Sequence, residues 1–278
     1  MAVESTENGR PLNSQPFVPR SKSLATIKAK QHDVYLRGVL GGRTIQEVSD
    51  LPMEKRTELL RSVLVQENQP IVINAMACLS QLASHVTPAK ILAPKELPGF
   101  DTSLSRLLKE AQEIYYGENH FVVDLCWLHD FVFDRTGGCG VSRGSVAEWV
   151  KQLTVVIDIT HDKDEEQRDL VLEQLRYLER FKKAERVTIE LQGGGMLNGS
   201  DLATHTKMKT ITPAVRELVD MFPVHQLLIH KVICNGSFQN IRNYWNDPTD
   251  ADIADVRLGR ADFAAVMRVQ TKSWTHGK

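Results

Sequence analysis

Three runs rich in β-branched and aliphatic residues, Leu153–Ile159 (LTVVIDI), Arg186–Gln192 (RVTIELQ) and Gln226–Cys234 (QLLIHKVIC), start 33 to 40 residues apart. Each gap between them carries a helical pattern. A strand, a helix and a second strand of one sheet require a crossover, and a crossover makes the two strands parallel. The first run is almost unbroken in apolar residues, which predicts a strand covered on both faces. The first helix is read over Asp164 to Lys183, acidic at its start, basic at its end, with Val171, Leu175 and Leu178 as its stripe. The second is read from Thr212-Pro213, with Val215, Leu218, Val219 and Phe222 as the apolar face and Pro223 as the stop.

The N-terminal half adds a helix and strand of the same kind. Leu104, Leu107, Leu108, Ala111 and Ile114 make one stripe at helical spacing. Tyr115 to Asn119 break it, and Phe121-Val122-Val123 reads as a short strand. Further upstream, Asp50 or Ser49 can cap a helix whose first turn holds Pro52 and whose apolar face is Leu59, Leu60, Val63 and Leu64. Gln69-Pro70 stops that helix and Ile71-Val72-Ile73 follows as a strand, with Met76 to Ala83 either helix or buried extension. Trp127 to Phe133 reads as a short helix. Asn246-Asp247-Pro248 reads as a turn, and Ala251 to Gln270 as a C-terminal helix broken near Gly259. The expected fold class is α+β with an α/β-like C-terminal half. It is a mixed sheet of strand–helix repeats over about 150–235, with helices on one side and an N-terminal helical segment, in one domain from 40 to 270. The repeat spacing resembles that of leucine-rich repeats, although their consensus is absent. Residues 1–25, rich in Ser, Asn, Pro and Glu, are expected to form a disordered tail.

Two motifs carry a further resemblance. LPMEKRTELLRSVLV followed by IVI, and then LLKEAQEIYYGENHFVV, resembles a large family of mostly uncharacterised fungal proteins. Those proteins open with LPxExR and later show EAxxIxYGxNxF before a strand. Leu51, Pro52, Glu54 and Arg56 match the first motif; Glu110, Ala111, Ile114, Tyr116, Gly117, Asn119 and Phe121 match the second. The match covers about residues 45–125. It departs at Lys55, where the family has an apolar residue, and at Arg106-Leu107-Leu108-Lys109, where a Cys-Arg pair is usual. Some members are labelled F-box-like. The resemblance implies a partner: Leu51, Pro52, Leu59, Leu60 and Val63 would dock on a Skp-type adaptor of a cullin–RING ubiquitin ligase, and the strand–helix part would receive the substrate. In the alternative, that helix is core.

Charge and composition remove several classes of function. A net charge of −1 on 278 residues gives no field that would draw nucleic acid or an anionic membrane. The N-terminus lacks the apolar stretch of a secretory signal, and no run approaches the roughly 18 apolar residues of a membrane span, so an intracellular location, nuclear or cytoplasmic, is expected. Cys78, Cys126, Cys139 and Cys234 are far apart and form no CxxC pair, against a zinc site and a disulfide framework.

The candidate chemistry is thin. Gly193-Gly194-Gly195 after a strand invites comparison with a phosphate loop but lacks GxGxxG and GxxxxGK. Cys139 could act as a nucleophile only with His120, His129 or His161 beside it, and His161-Asp162 with Asp164, Glu165 and Glu166 reads more simply as a helix start than as a cation site. His225 and His230 fall on opposite faces of one strand, and Trp127, Trp149, Tyr115 and Tyr116 lack the interleaved basic residues of a base-stacking platform. No cofactor or metal is expected. The function indicated is a non-enzymatic protein-interaction module, with an enzyme of unrecognised active site as the rival.

Overall fold

One face of the central strands is sealed from water throughout and the other only at Thr154 and Thr188, and that difference decides the architecture. The computed structural model describes residues 34–35, 37–74, 102–134, 145–160 and 166–276. The expected tail, the segment Met76–Ala83, Cys78, Cys139 with its glycine-rich loop, and His161 to Glu165 lie outside the described residues.

Among the described residues six strands form one sheet in chain order: β1 (Ile71–Ile73), β2 (His120–Asp124), β3 (Gln152–Asp158), β4 (Arg186–Gln192), β5 (Leu227–Val232) and β6 (Phe238–Asn240). The first five are parallel, and β6 folds back antiparallel on β5. The helices are α1 (Ile45–Ser49), α2 (Met53–Leu64), α3 (Thr102–Glu118), α4 (Leu128–Val132), α5 (Glu166–Arg176), α6 (Leu202–Met221), α7 (Asp250–Arg257) and α8 (Phe263–His276). The fold is α+β, a mostly parallel mixed sheet covered by helices. Each crossover from β1 to β5 steps one strand in the same direction. Crossovers are right-handed, so α3, α4, α5 and α6 all come to one face.

Burial agrees. Phe121 and Val123 of β2, Val155 of β3, Val187, Ile189 and Leu191 of β4, and Leu227 and Ile229 of β5 are all fully buried in one core with α3 and α6. Each such side chain contributes about 1.5–3 kcal/mol on removal from water. The alternate apolar positions Val72, Val122, Val156, Leu228 and Val232 are half-buried and do not join that core. LTVVIDI is covered on both faces only in part: on the second face Thr154 is buried, Val156 half-buried, and Gln152 and Asp158 at the ends are exposed.

Three local expectations are also corrected. Neither Ser49 nor Asp50 caps α2; Pro52 is its N-cap without a side-chain bond, and Asp50 instead closes α1, which Thr44 and Glu47 open with a capping box. Tyr115 and Tyr116 do not break α3 but continue it to Glu118, buried in the core. The helix read from Thr212 begins ten residues earlier at Leu202, capped by Asp201, with Pro213 in its interior.

The two sequence motifs meet in space. Arg56 on α2 gives Nε and Nη2 to Glu110 on α3 at 2.6 and 2.9 Å, and its Nη1 to the carbonyls of Ser49 and Leu51 at 3.0 and 2.9 Å. Asn119 donates to the Leu64 and Tyr115 carbonyls and accepts from the Gln66 amide, tying the end of α2 to the start of β2. Tyr116 donates its hydroxyl to buried Asp134 at 2.5 Å.

Beyond β4 the triple glycine turns under a buried lysine. Lys231 is fully buried at the end of β5, and its Nζ donates to the Gly193, Gly194 and Val232 carbonyls at 3.0, 2.9 and 3.2 Å. Gly195 sits at φ +90°, where a Cβ would collide with the Asp201 carboxylate that caps α6. Gly195→Ala is expected to destabilise the protein by about 1–3 kcal/mol, read as a lower urea midpoint with unchanged slope; an unchanged midpoint would remove the backbone argument.

Candidate functional site: the open face of the sheet

The polar alternation of the strands places chemistry on the face opposite the helices. Strand register sets it out in rows. The N-terminal row runs His120, Gln152, Arg186. The middle row runs Val122, Thr154, Thr188, Leu228. The next row runs Asp124, Val156, Glu190, His230, Asn240, and the last Asp158, Gln192, Val232, Phe238. Thr154 and Thr188 in the middle row are buried, Val122 and Leu228 beside them half-buried, and this band is flanked by carboxylates toward the C-terminal ends of the strands and by Arg186 at the other end.

Within this face the partners are specific. His120 shares a hydrogen bond of 2.9 Å with the Thr154 hydroxyl, and Gln192 donates to Glu190 at 2.9 Å. Asp158 accepts from the amide and hydroxyl of Thr160. The His230 ring lies 4.8 Å from that of exposed Phe238. Burial lowers both His120 and His230 from the usual imidazole range, with Arg186 adding to the fall and Glu190 opposing it. Burial raises the Asp124 carboxyl, and the nearby Asp158 charge raises it further.

Those histidines give a pH dependence with a definite sign. Their folded values lie below the unfolded imidazole value, so below about pH 6.5 the unfolded chain binds more protons than the native one. Stability should fall as pH drops through that window, and the His120→Asn, His230→Asn double variant should flatten the slope between pH 6.5 and 5. An unaltered slope in urea melts of the variant would contradict the assignment.

No family model, curated protein or solved structure matches this chain. The site therefore stands on its geometry.

The residues singled out for adaptor docking divide. Leu60 is fully buried with Leu64 in the core; Leu51, Leu59 and Val63 are half-buried, the last two packed against that core, and Pro52 is exposed beside Met53. His129 lies in an aromatic group with Phe133 and Tyr177, its ring 5.0 Å from each, and Arg180 covers Phe133. His225 is exposed in the turn before β5, so it does not share the strand with His230. Trp127 and Trp149 are half-buried against the core. An open groove of about 590 Å³ lies between Ser145, Glu148, Glu173, Arg176, Tyr177 and Arg180, its charges balanced. Among the described residues no three His, Cys, Asp or Glu side chains are grouped to hold a metal, and no helix is long and apolar enough to cross a membrane.

The open face carries no sequence motif. The signal was present in the period of two: Gln152, Thr154, Asp158 and Arg186, Thr188, Glu190, Gln192 are polar at alternate positions.

Proposed function

We propose that this protein is a non-enzymatic intracellular interaction module whose recognition surface is the open face of its sheet. The observation that carries this reading is the failure of Val122, Val156 and Leu228, on interior strands of the sheet, to join the core, with Val72 and Val232 likewise half-buried toward its edges. A singly wound parallel sheet leaves such a face for a partner. Here the apolar band supplies contact area, and Asp124, Asp158, Glu190 and Arg186 supply register.

The test is comparative affinity capture. A variant carrying Asp158→Lys and Glu190→Lys should lose a partner that the wild-type protein retains, while Glu173→Lys on α5 keeps it and all three melt alike. Loss by the α5 variant alone would point away from the sheet.

A narrower reading lets α2 dock on a Skp-type adaptor, as the F-box-like motif implies. The exposed Pro52 and Met53, the latter 64% accessible, favour it. In this reading the contact uses Pro52, Met53 and the accessible parts of Leu51, Leu59 and Val63, with Leu60 supporting from within. Met53→Asp should abolish binding to a purified adaptor without altering the melt; an adaptor that ignores the wild-type protein ends this reading and leaves the first intact.

A further inference from the structure

Charge is laid out unevenly on the open face. Arg186 and His120 share the row at the N-terminal ends of the strands, and Glu190 and Asp124 share a row two steps further along, with Val122, Thr154, Thr188 and Leu228 between them. That middle row carries no charge. Arg186 is exposed, and among the described residues no carboxylate pairs with its guanidinium; Asp124 is half-buried, and no cation pairs with it there. Glu190 accepts from Gln192 at Oε2, which leaves Oε1 outside that bond. Arg186 and Glu190 stand four residues apart on β4, about 13 Å along the strand, too far to pair with each other.

A two-fold axis answers this layout. Two sheets pack face to face about 10 Å apart with their strands nearly aligned. An axis lying between two copies, perpendicular to the strands and over the uncharged row, keeps each strand above its own counterpart and reverses its direction. The row of Arg186 and His120 on one copy then falls on the row of Glu190 and Asp124 on the other. Arg186 meets Glu190 of the second copy, His120 meets Asp124 of the second copy, and symmetry makes each contact twice. Val122 and Leu228 meet their own counterparts along the axis, where no charge has to leave water. An axis along the strands would set Glu190 on Glu190 instead, and like charge opposes it.

We propose that the open face pairs with the same face of a second copy of this chain, in an isologous dimer held by Arg186 and Glu190 across the two-fold. This rests on the reading of that face as the recognition surface and names its occupant. From β2 to β6 the face spans about 20 Å across the strands and about 20 Å along the seven residues of β3 and β4, roughly half of what one side of a standard interface covers. The dimer is therefore weak and exchanges with monomer, whose face stays open to reagents.

The test is sedimentation equilibrium of the full chain across the micromolar range. A 31.3 kDa monomer in equilibrium with its dimer is expected. Arg186→Glu and Glu190→Arg should each weaken dimerisation about tenfold or more, since each reversal sets two like-charge contacts across the axis. Mixing the two variants should restore it, because every facing pair is then one acid and one arginine; the double variant should restore it within a single chain. Arg186→Gln, a neutral change at an exposed position, should weaken it too and decides the matter if a reversal fails to fold. A wild-type chain that stays monomeric, a dimer that neither reversal weakens, or reversed variants that do not pair on mixing would overturn the proposal. The capture test above then separates the two readings: a partner lost by Asp158→Lys with Glu190→Lys leaves the face a recognition surface for another protein, and a partner retained removes that reading as well.

Discussion

Replacing Arg56 by methionine is expected to lower the unfolding free energy by about 3–5 kcal/mol, the range for removing one partner of a buried ion pair. The Arg56 side chain is 8% exposed and that of Glu110 18%. Burial pulls the Glu110 carboxyl upward, but the hydrogen bonds and charge of Arg56, then of Arg106, outweigh it and leave the carboxyl below its usual range. The same guanidinium holds the turn before α2 through the Ser49 and Leu51 carbonyls. Methionine would strand all three acceptors, with Arg106 covering one oxygen from an exposed position. Glu110→Gln should cost less, because an amide oxygen still accepts from Arg56. Because the native carboxyl is the stronger acid, this contribution is present above the unfolded glutamate value and is lost as pH falls through the native one. Urea melts of the two single variants and the double would show a coupling of at least about 1 kcal/mol. A loss under about 1 kcal/mol for Arg56→Met would mean that α2 is not anchored by this pair.

Lys231→Ala is expected to be nearly as severe, at about 3 kcal/mol, combining a cavity at the end of β5 with carbonyls left short of a donor. Burial lowers the Lys231 ammonium from its ordinary value, and the Asp201 charge works against that fall. Lys231→Met should recover part of the loss, since it fills the space without supplying donors. Because the ammonium pins the Gly193 and Gly194 carbonyls to β5, the loop from Gly193 to Gly199 should become the first site of proteolytic cutting in Lys231→Ala. Equal stability of the alanine and wild-type proteins would refute the pinning.

Much of the layering was legible in the chain. The stripe of Leu107, Ala111 and Ile114 does face the core, and the runs at Leu153, Val187 and Leu227 are neighbouring parallel strands, as a strand–helix repeat requires. What stayed hidden has physical reasons. An apolar run such as LTVVIDI looks the same whether Val156 is sealed under a helix or left half-buried, because periodicity reports polarity and not what covers it. Thr212-Pro213 reads as a helix start, since the missing amide is harmless in a first turn; in α6 the Asp201 cap and the apolar face of Met208, Ile211 and Val215 carry the helix through it. Phe238-Gln239-Asn240 is too short to show alternation, so β6 was not foreseen. Pairs such as Arg56 with Glu110, 54 residues apart, are set by packing and leave no local mark.

The candidate site follows the same division. Its polar positions are legible, because Thr154 and Asp158 on one strand, and Thr188 and Glu190 on the next, alternate with Leu153, Val155, Val187 and Ile189. The bond between His120 and Thr154 is not, since neighbours on two strands joined by a long crossover leave no local mark.

The account rests on a sheet sealed on its helical face and accessible on the other at Val122, Val156 and Leu228. Single cysteines introduced at Val122, Val156 and Leu228, in a background with the native cysteines replaced by serine or alanine, should react with a maleimide in the folded protein. Cysteines at Val123, Val155 and Ile229 should react only on unfolding. Protection of all six positions in the native protein, or reaction of the second set at the rate of the first, would contradict it.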